Sequence, residues 1–219
     1  MLLTFEQIVA DIKNKKFYPI YILYGEEPYF VDELYNHIIE NVIPAEEKDF
    51  NQNIVYGKDT NIKNIAMNAA NAPMLGNHQL IVVKEAQDLK DFKKFEWYVD
   101  QYSKKTIVVF CFKDSKSIDK RISLYKKIDK IGVIFESKKL YENQIPTWIQ
   151  NWLKQYNLSI KPEANRLLFE HVGSNLSNLN SELNKLKIAI KAGQTLITED
   201  DIINNIGINP IINSFFLFI

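Results

Sequence analysis

Tyr18-Pro19-Ile20-Tyr21-Ile22-Leu23-Tyr24-Gly25-Glu26-Glu27-Pro28-Tyr29-Phe30-Val31-Asp32 is the stretch on which the fold turns. A short apolar run from Ile20 to Tyr24 stops at Gly25, as a buried strand does before a turn. Pro28 then suits the first turn of a helix, where its missing N–H costs nothing. Phe30, Leu34, Ile38 and Ile39 mark the buried side of that helix. Strand, glycine, loop, helix is also where a nucleotide-binding α/β protein carries its phosphate loop, G-x-x-x-x-G-K-[ST]. Counting from Gly25, Phe30 stands at the second glycine, Val31 at the lysine and Asp32 at the hydroxyl residue. A phenylalanine blocks close approach of backbone to phosphate, valine supplies no charge, and aspartate repels the ligand. Glu26 and Glu27 add negative charge, and Pro28 removes a donor. The scaffold is of the nucleotide-binding type, but Gly25, Phe30, Val31 and Asp32 form a degenerate loop.

The same alternation continues on both sides. Thr4 caps a first helix, with Gln7 in the capping-box position and Phe5, Ile8, Val9 and Ile12 on one face. Asn53 to Tyr56 reads as a weaker strand closed by Gly57, and Ile62, Ile65 and Ala69 mark a helix bounded by Pro73. Leu80 to Val83, Thr106 to Phe112 and Val133 to Phe135 are near-continuous apolar runs, the signature of strands covered on both faces. Helical patterns fall around Phe92 to Tyr102 and Arg121 to Ile131. Five strands with intervening helices predict a doubly wound α/β sheet with helices on both faces.

After about Lys138 the strand signals stop. Pro146 opens a helix with Trp148, Ile149, Trp152 and Leu153, and Pro162 opens another with Leu167, Leu168 and Val172. Asn175 or Ser177 can cap a third, with Leu179, Leu183, Leu186 and Ile190. Thr198 begins a fourth, with acidic residues at its N-terminus. A small all-helical domain follows from this pattern.

Composition narrows the function. The chain has 219 residues, about one and a half typical domains. It has 27 basic and 27 acidic side chains, so no global positive field draws nucleic acid. With 46% hydrophobic residues, it has ample apolar surface for a core. Its one cysteine, Cys111, excludes an intrachain disulfide and a cysteine-rich metal site, and its apolar strand predicts a buried, inert thiol. His37, His78 and His171 lack ligand-like spacing, so no metal site is expected. Glu85 follows the Leu80–Val83 strand where a metal-binding acid would stand, but without a phosphate loop it reads as a surface residue at a strand end. No leader pattern and no membrane-length apolar run is visible, which suggests a cytoplasmic protein without membrane contact.

Several segments together resemble one family, the delta subunit of the bacterial DNA polymerase III clamp loader. They are Tyr18 to Tyr29, Gln79 to Gln87, Ser117 to Arg121 with Leu124 to Lys127, Lys139 to Ile149, Gly173 to Leu186, and Ile197 to Ile202. Their order and spacing run from Phe5 to about Gly207. The resemblance implies an AAA+-like (P-loop NTPase-type) domain over 1–140 and a helical lid domain over 141–207. The apolar run 208–219 departs from the family's continuation, so the collar domain is expected to be absent. It also implies no intrinsic catalysis and no cofactor. ATP is then hydrolysed by partner subunits of the holoenzyme, and this subunit binds the sliding clamp (the beta subunit) and favours its open state during DNA replication. The implied partners are the clamp, the gamma/tau and delta prime subunits, and DNA only indirectly through the loader.

The family's clamp-binding element is a pair of adjacent large apolar residues before the third strand. Here that position is Ala72-Pro73-Met74-Leu75-Gly76, so Met74 and Leu75 carry over as the plug, with Pro73 beside them. On spacing alone, capping of the local core is the simpler account of this pair, and the resemblance reverses that preference. Residues 113 to 130 hold seven basic against three acidic residues. Lys113, Lys116, Lys120, Arg121, Lys126 and Lys127 are therefore candidates for contact with DNA or a neighbouring subunit, with a solvated helix face as the plainer account. Trp148 and Trp152 lie four apart, a spacing that favours core packing over base stacking. The competing functional readings are an ATPase or nucleotide kinase with a divergent nucleotide site, and a DNA-binding module.

Overall fold

A computed structural model describes residues 3–113, 118–119 and 121–206. The chain divides into two units, at Lys139 and Leu140. In the first unit, β1 (Ile20–Gly25), β2 (Gln52–Tyr56), β3 (Gln79–Lys84), β4 (Thr106–Cys111) and β5 (Val133–Ser137) form one sheet in the order β2-β3-β4-β1-β5. Every pairing is parallel, with Ile20 opposite Val108, Tyr21 opposite Val133, and Gln52 opposite Leu80. All five expected strands are present, each within about two residues of its expected limits.

Because successive side chains alternate between faces, β1 serves two cores at once. Ile20, Ile22 and Tyr24 join Ile81, Val83, Val108 and Phe110 on one face. There they pack against α4 (Ile62–Ala70), α5 (Glu96–Val99) and α6 (Ser123–Ile131). Tyr21 and Leu23 join Leu80, Val82, Val109 and Phe135 on the other face, under α1 (Phe5–Lys13) and α2 (Pro28–Asn41). This double burial is why the strands read as unbroken apolar runs.

The helix starts are chemically specified. Thr4 accepts from the Gln7 N–H while the Gln7 side chain accepts from the Thr4 N–H, a complete capping box. Asn61 caps α4 by accepting from the Asn64 N–H. The segment from Phe92 differs from expectation. It is a 3-10 turn, Phe92–Phe95, followed by the single turn of α5, because its aromatic residues insert into the core instead of lining a long helix. Phe92 and Phe95 meet Phe110 edge-on at centroid distances of 4.9 and 5.0 Å.

The second unit carries α7 (Ile145–Lys154), α8 (Pro162–Val172), α9 (Leu176–Ala189) and α10 (Glu199–Asn205). Asn175, and not Ser177, caps α9, and Thr198 forms a capping box with Asp201. Trp152 is buried and donates its indole N–H to Asn180 Oδ1 at 2.8 Å, so it packs in this unit's core, as its spacing suggested. The unit is not purely helical. Ser159–Ile160 (β6) pairs in parallel with Leu196–Ile197 (β7), tying the lead-in of α8 to that of α10. Two-residue strands leave too short a pattern to read in sequence. Gly207 and the run 208–219 lie outside the described residues. Among the described residues, no helix is long and apolar enough to cross a membrane.

Phe110→Ala is expected to destabilise the first unit by about 3–5 kcal/mol, because it empties a fully buried aromatic site between Phe92 and Phe95. Chemical denaturation followed by circular dichroism measures this loss.

Candidate functional site

The sheet presents two ends, and each holds candidate residues. At the C-terminal end of the strands, Gly25 has φ +145°, a conformation that favours glycine. An added Cβ there would fall 2.0 Å from the Ser137 carbonyl oxygen. That carbonyl accepts the Glu26 N–H at 2.9 Å and the Glu27 N–H at 3.4 Å, and the Ser137 hydroxyl donates to the Glu27 carbonyl. Pro28 has no donor, and the Glu27 carboxylate accepts the Tyr29 N–H at 3.2 Å. The Glu26, Glu27 and Tyr29 backbone donors are thus occupied by the chain's own oxygens.

The remaining residues of this loop agree. Val31 is buried among the residues under α2, and Phe30 packs edge-on with Phe5 at 5.1 Å. Asp32 borders a cavity of ≈ 190 Å³ with Tyr35, Lys84 and Lys113. Desolvation raises its carboxyl above the usual range, and Lys84 and Lys113 pull it the other way. Lys84 Nζ lies 4.2 Å from the Tyr35 ring centroid, a cation–π contact that draws its charge to the protein's own aromatic face. Glu27 is likewise raised by desolvation, opposed by its Tyr29 hydrogen bond. Two carboxylates and no free cradle of amides make this a poor place for nucleotide phosphates. Cys111 is buried, and desolvation pushes its thiol to about 12, which leaves it protonated and inert. Among the described residues, no cluster of histidine, cysteine, aspartate or glutamate could hold a metal ion.

At the opposite end, the loop before β3 presents Met74 at 75% exposure and Leu75 at 49%. Neither residue caps the local core, which corrects the account that spacing alone favoured. The loop's backbone is held from within. Asn51, 2% exposed at the end of α3 (Lys48–Asn51), accepts the Met74 N–H at 3.0 Å and the Leu75 N–H at 3.4 Å. Its own amide donates to the Leu75 carbonyl at 2.6 Å. Gly76 follows with φ +61°, and a Cβ there would meet the Glu47 carboxylate at 2.1 Å. Pro73, whose ring fixes its own φ, lies on the other side of the pair.

Asn51, Glu47 and Ser137 are functional neighbours that sequence reading missed. Asn51 lies 23 and 24 positions from its partners, so no local signal pairs them. They meet because Gln52 of β2 pairs beside Leu80 of β3, which brings the two strand lead-ins side by side.

Among the described residues, two of the basic candidates are held in ion pairs and two are exposed. Arg121 binds Asp119 at 2.9 Å, and Lys127 binds both Glu96 and Asp100 at 2.9 and 2.7 Å. Lys113 and Lys126 are exposed. Lys116 and Lys120 lie outside the described residues.

A family model for the DNA polymerase III delta subunit matches residues 21–138. DNA polymerase III subunit delta of Bacillus subtilis (strain 168) is 27% identical over 202 residues, spanning 88% of this chain and 58% of the relative. The solved Bacillus subtilis DNA clamp loader delta protein (YqeN) matches with a TM-score of 0.77 at 25% identity, over 91% of this chain and 61% of that one. This chain therefore spans less than two thirds of the length of either relative. A solved structure of Thermotoga maritima RuvB, at 12% identity and a TM-score of 0.51, shares the fold.

Titration of the protein with Mg-ATP is expected to give no measurable heat at micromolar concentrations. Val31→Lys is not expected to create binding, because the loop's amide donors stay bonded to Ser137 and Glu27.

Proposed function

Since the chain belongs to the DNA polymerase III delta-subunit family, we propose that it binds the ring-shaped sliding clamp through Met74 and Leu75 and favours the ring's open state. The observation that carries this reading is the pair of large apolar side chains held out from the protein by a buried polar anchor. Water-exposed methionine and leucine side chains are a standing cost that a partner's apolar pocket removes. Burial of each contributes roughly 2–3 kcal/mol before ordering costs, the scale of an interface hot spot. Methionine adapts to an irregular pocket because its side chain is unbranched.

The mechanism is a shift of equilibrium. A protein that binds an opened ring more tightly than a closed one raises the population of the open form by that difference in affinity. No bond is made or broken by this chain. The closed loop at Gly25 supports a subunit that leaves ATP hydrolysis to partner subunits of the loader, in which gamma/tau and delta prime are its neighbours. Lys113 and Lys126 are left as exposed candidates for contact with such a subunit or with DNA. The first unit serves as the AAA+-like clamp-contacting domain and the second as the lid. Action in the cytoplasm, and DNA contact only through the assembled loader, belong to the same proposal.

Met74→Ala with Leu75→Ala is expected to abolish pull-down of the clamp while leaving the circular dichroism spectrum and the melting temperature unchanged, since both side chains are exposed. Full retention of the clamp by the double variant would remove this pair from the interface.

A further inference from the structure

We propose that Asn51 is the positioning residue of the Met74–Leu75 element, and that it sets the affinity of this element without touching the partner. The proposal rests on the clamp-binding reading above. One side-chain amide holds three backbone groups of two consecutive residues. Its oxygen accepts from the Met74 and Leu75 N–H groups, and its nitrogen donates to the Leu75 carbonyl. With these polar groups turned inward to a single buried side chain, the two apolar side chains are turned outward.

The anchor itself is fixed. Asn51 closes α3 directly before β2, and its nitrogen lies 3.4 Å from Glu47 Oε2. The Glu47 carboxylate also occupies the space in which any side chain at position 76 would stand. Glu47, Asn51 and Gly76 therefore define one conformation of the loop between α4 and β3. An ordered loop loses little conformational freedom on docking, which is the cost that most weakens flexible binding elements.

The residue types are specific to this task. An amide of this length offers an acceptor to two N–H groups and a donor to a carbonyl at once. Aspartate in its place keeps the acceptor but sets a carboxylate oxygen against the Leu75 carbonyl and beside the Glu47 carboxylate. Alanine loses both and leaves the three backbone groups to water or to other conformations.

The test combines amide hydrogen exchange at Met74 and Leu75 with surface-plasmon measurement of binding to the purified clamp. Asn51→Ala is expected to speed exchange at both amides and to weaken clamp binding about tenfold, mostly through faster dissociation. Asn51→Asp is expected to speed exchange at both amides and to weaken clamp binding as well, because its second oxygen repels the Leu75 carbonyl. Exchange elsewhere in the first unit is expected to stay unchanged, which a merely destabilising substitution would not give. Faster exchange in Asn51→Ala with unchanged affinity, while the Met74→Ala, Leu75→Ala variant fails to bind, overturns the positioning role and leaves the docking reading intact. Unchanged binding by the Met74→Ala, Leu75→Ala variant overturns both. Should Asn51→Ala not fold, Asn51→Asp decides, because loss of amide protection in that folded variant without any loss of affinity also overturns the proposal.

Discussion

The structure depends on β1 being buried on both faces. Ile20, Ile22 and Tyr24 hold one core together, and Tyr21 and Leu23 hold the other. β1 also lies between β4 and β5, so both of its edges are paired. α1, α2, α4, α5 and α6 are each docked against a layer to which β1 contributes. The apolar contact on both faces is worth far more than the ion pairs among the described residues, which are largely surface-exposed and contribute little.

A parallel sheet fixes where chemistry can occur, because all strands begin at one end and finish at the other. In folds of this type ligands sit at the carboxyl ends of the strands. Here Ser137 and Glu27 bond the amides of the loop after Gly25 at that end. The exposed apolar pair lies at the other end, on the lead-in to β3. The separation has a physical logic. The internally satisfied end needs no ligand for its stability, while the opposite end holds surface that only a partner can remove from water.

The positions of the strands were legible because doubly buried strands leave continuous apolar runs, as at Leu80 to Val83 and Thr106 to Cys111. Helix starts were legible where the cap is local, as at Thr4 and Thr198. The segment after Phe92 was harder, since a row of aromatics spaced like a helix can instead insert into a core as a 3-10 turn. The failure of the phosphate loop was also readable, from Phe30, Val31 and Asp32 alone. The occupant of its amide donors was not, because the Ser137 carbonyl comes from a strand 110 positions away.

What the amino-acid sequence determined by itself was therefore the set of elements, their covering on both faces, and the departure of the Gly25 loop from the phosphate-binding pattern. These follow from side-chain type and near-neighbour spacing, which act over a turn or a strand. The tertiary structure alone decided that Met74 and Leu75 face outward and that Asn51 holds them there. Those outcomes depend on which strand lead-ins lie side by side, and parallel pairing of β2 with β3 brings together groups that the chain order keeps far apart.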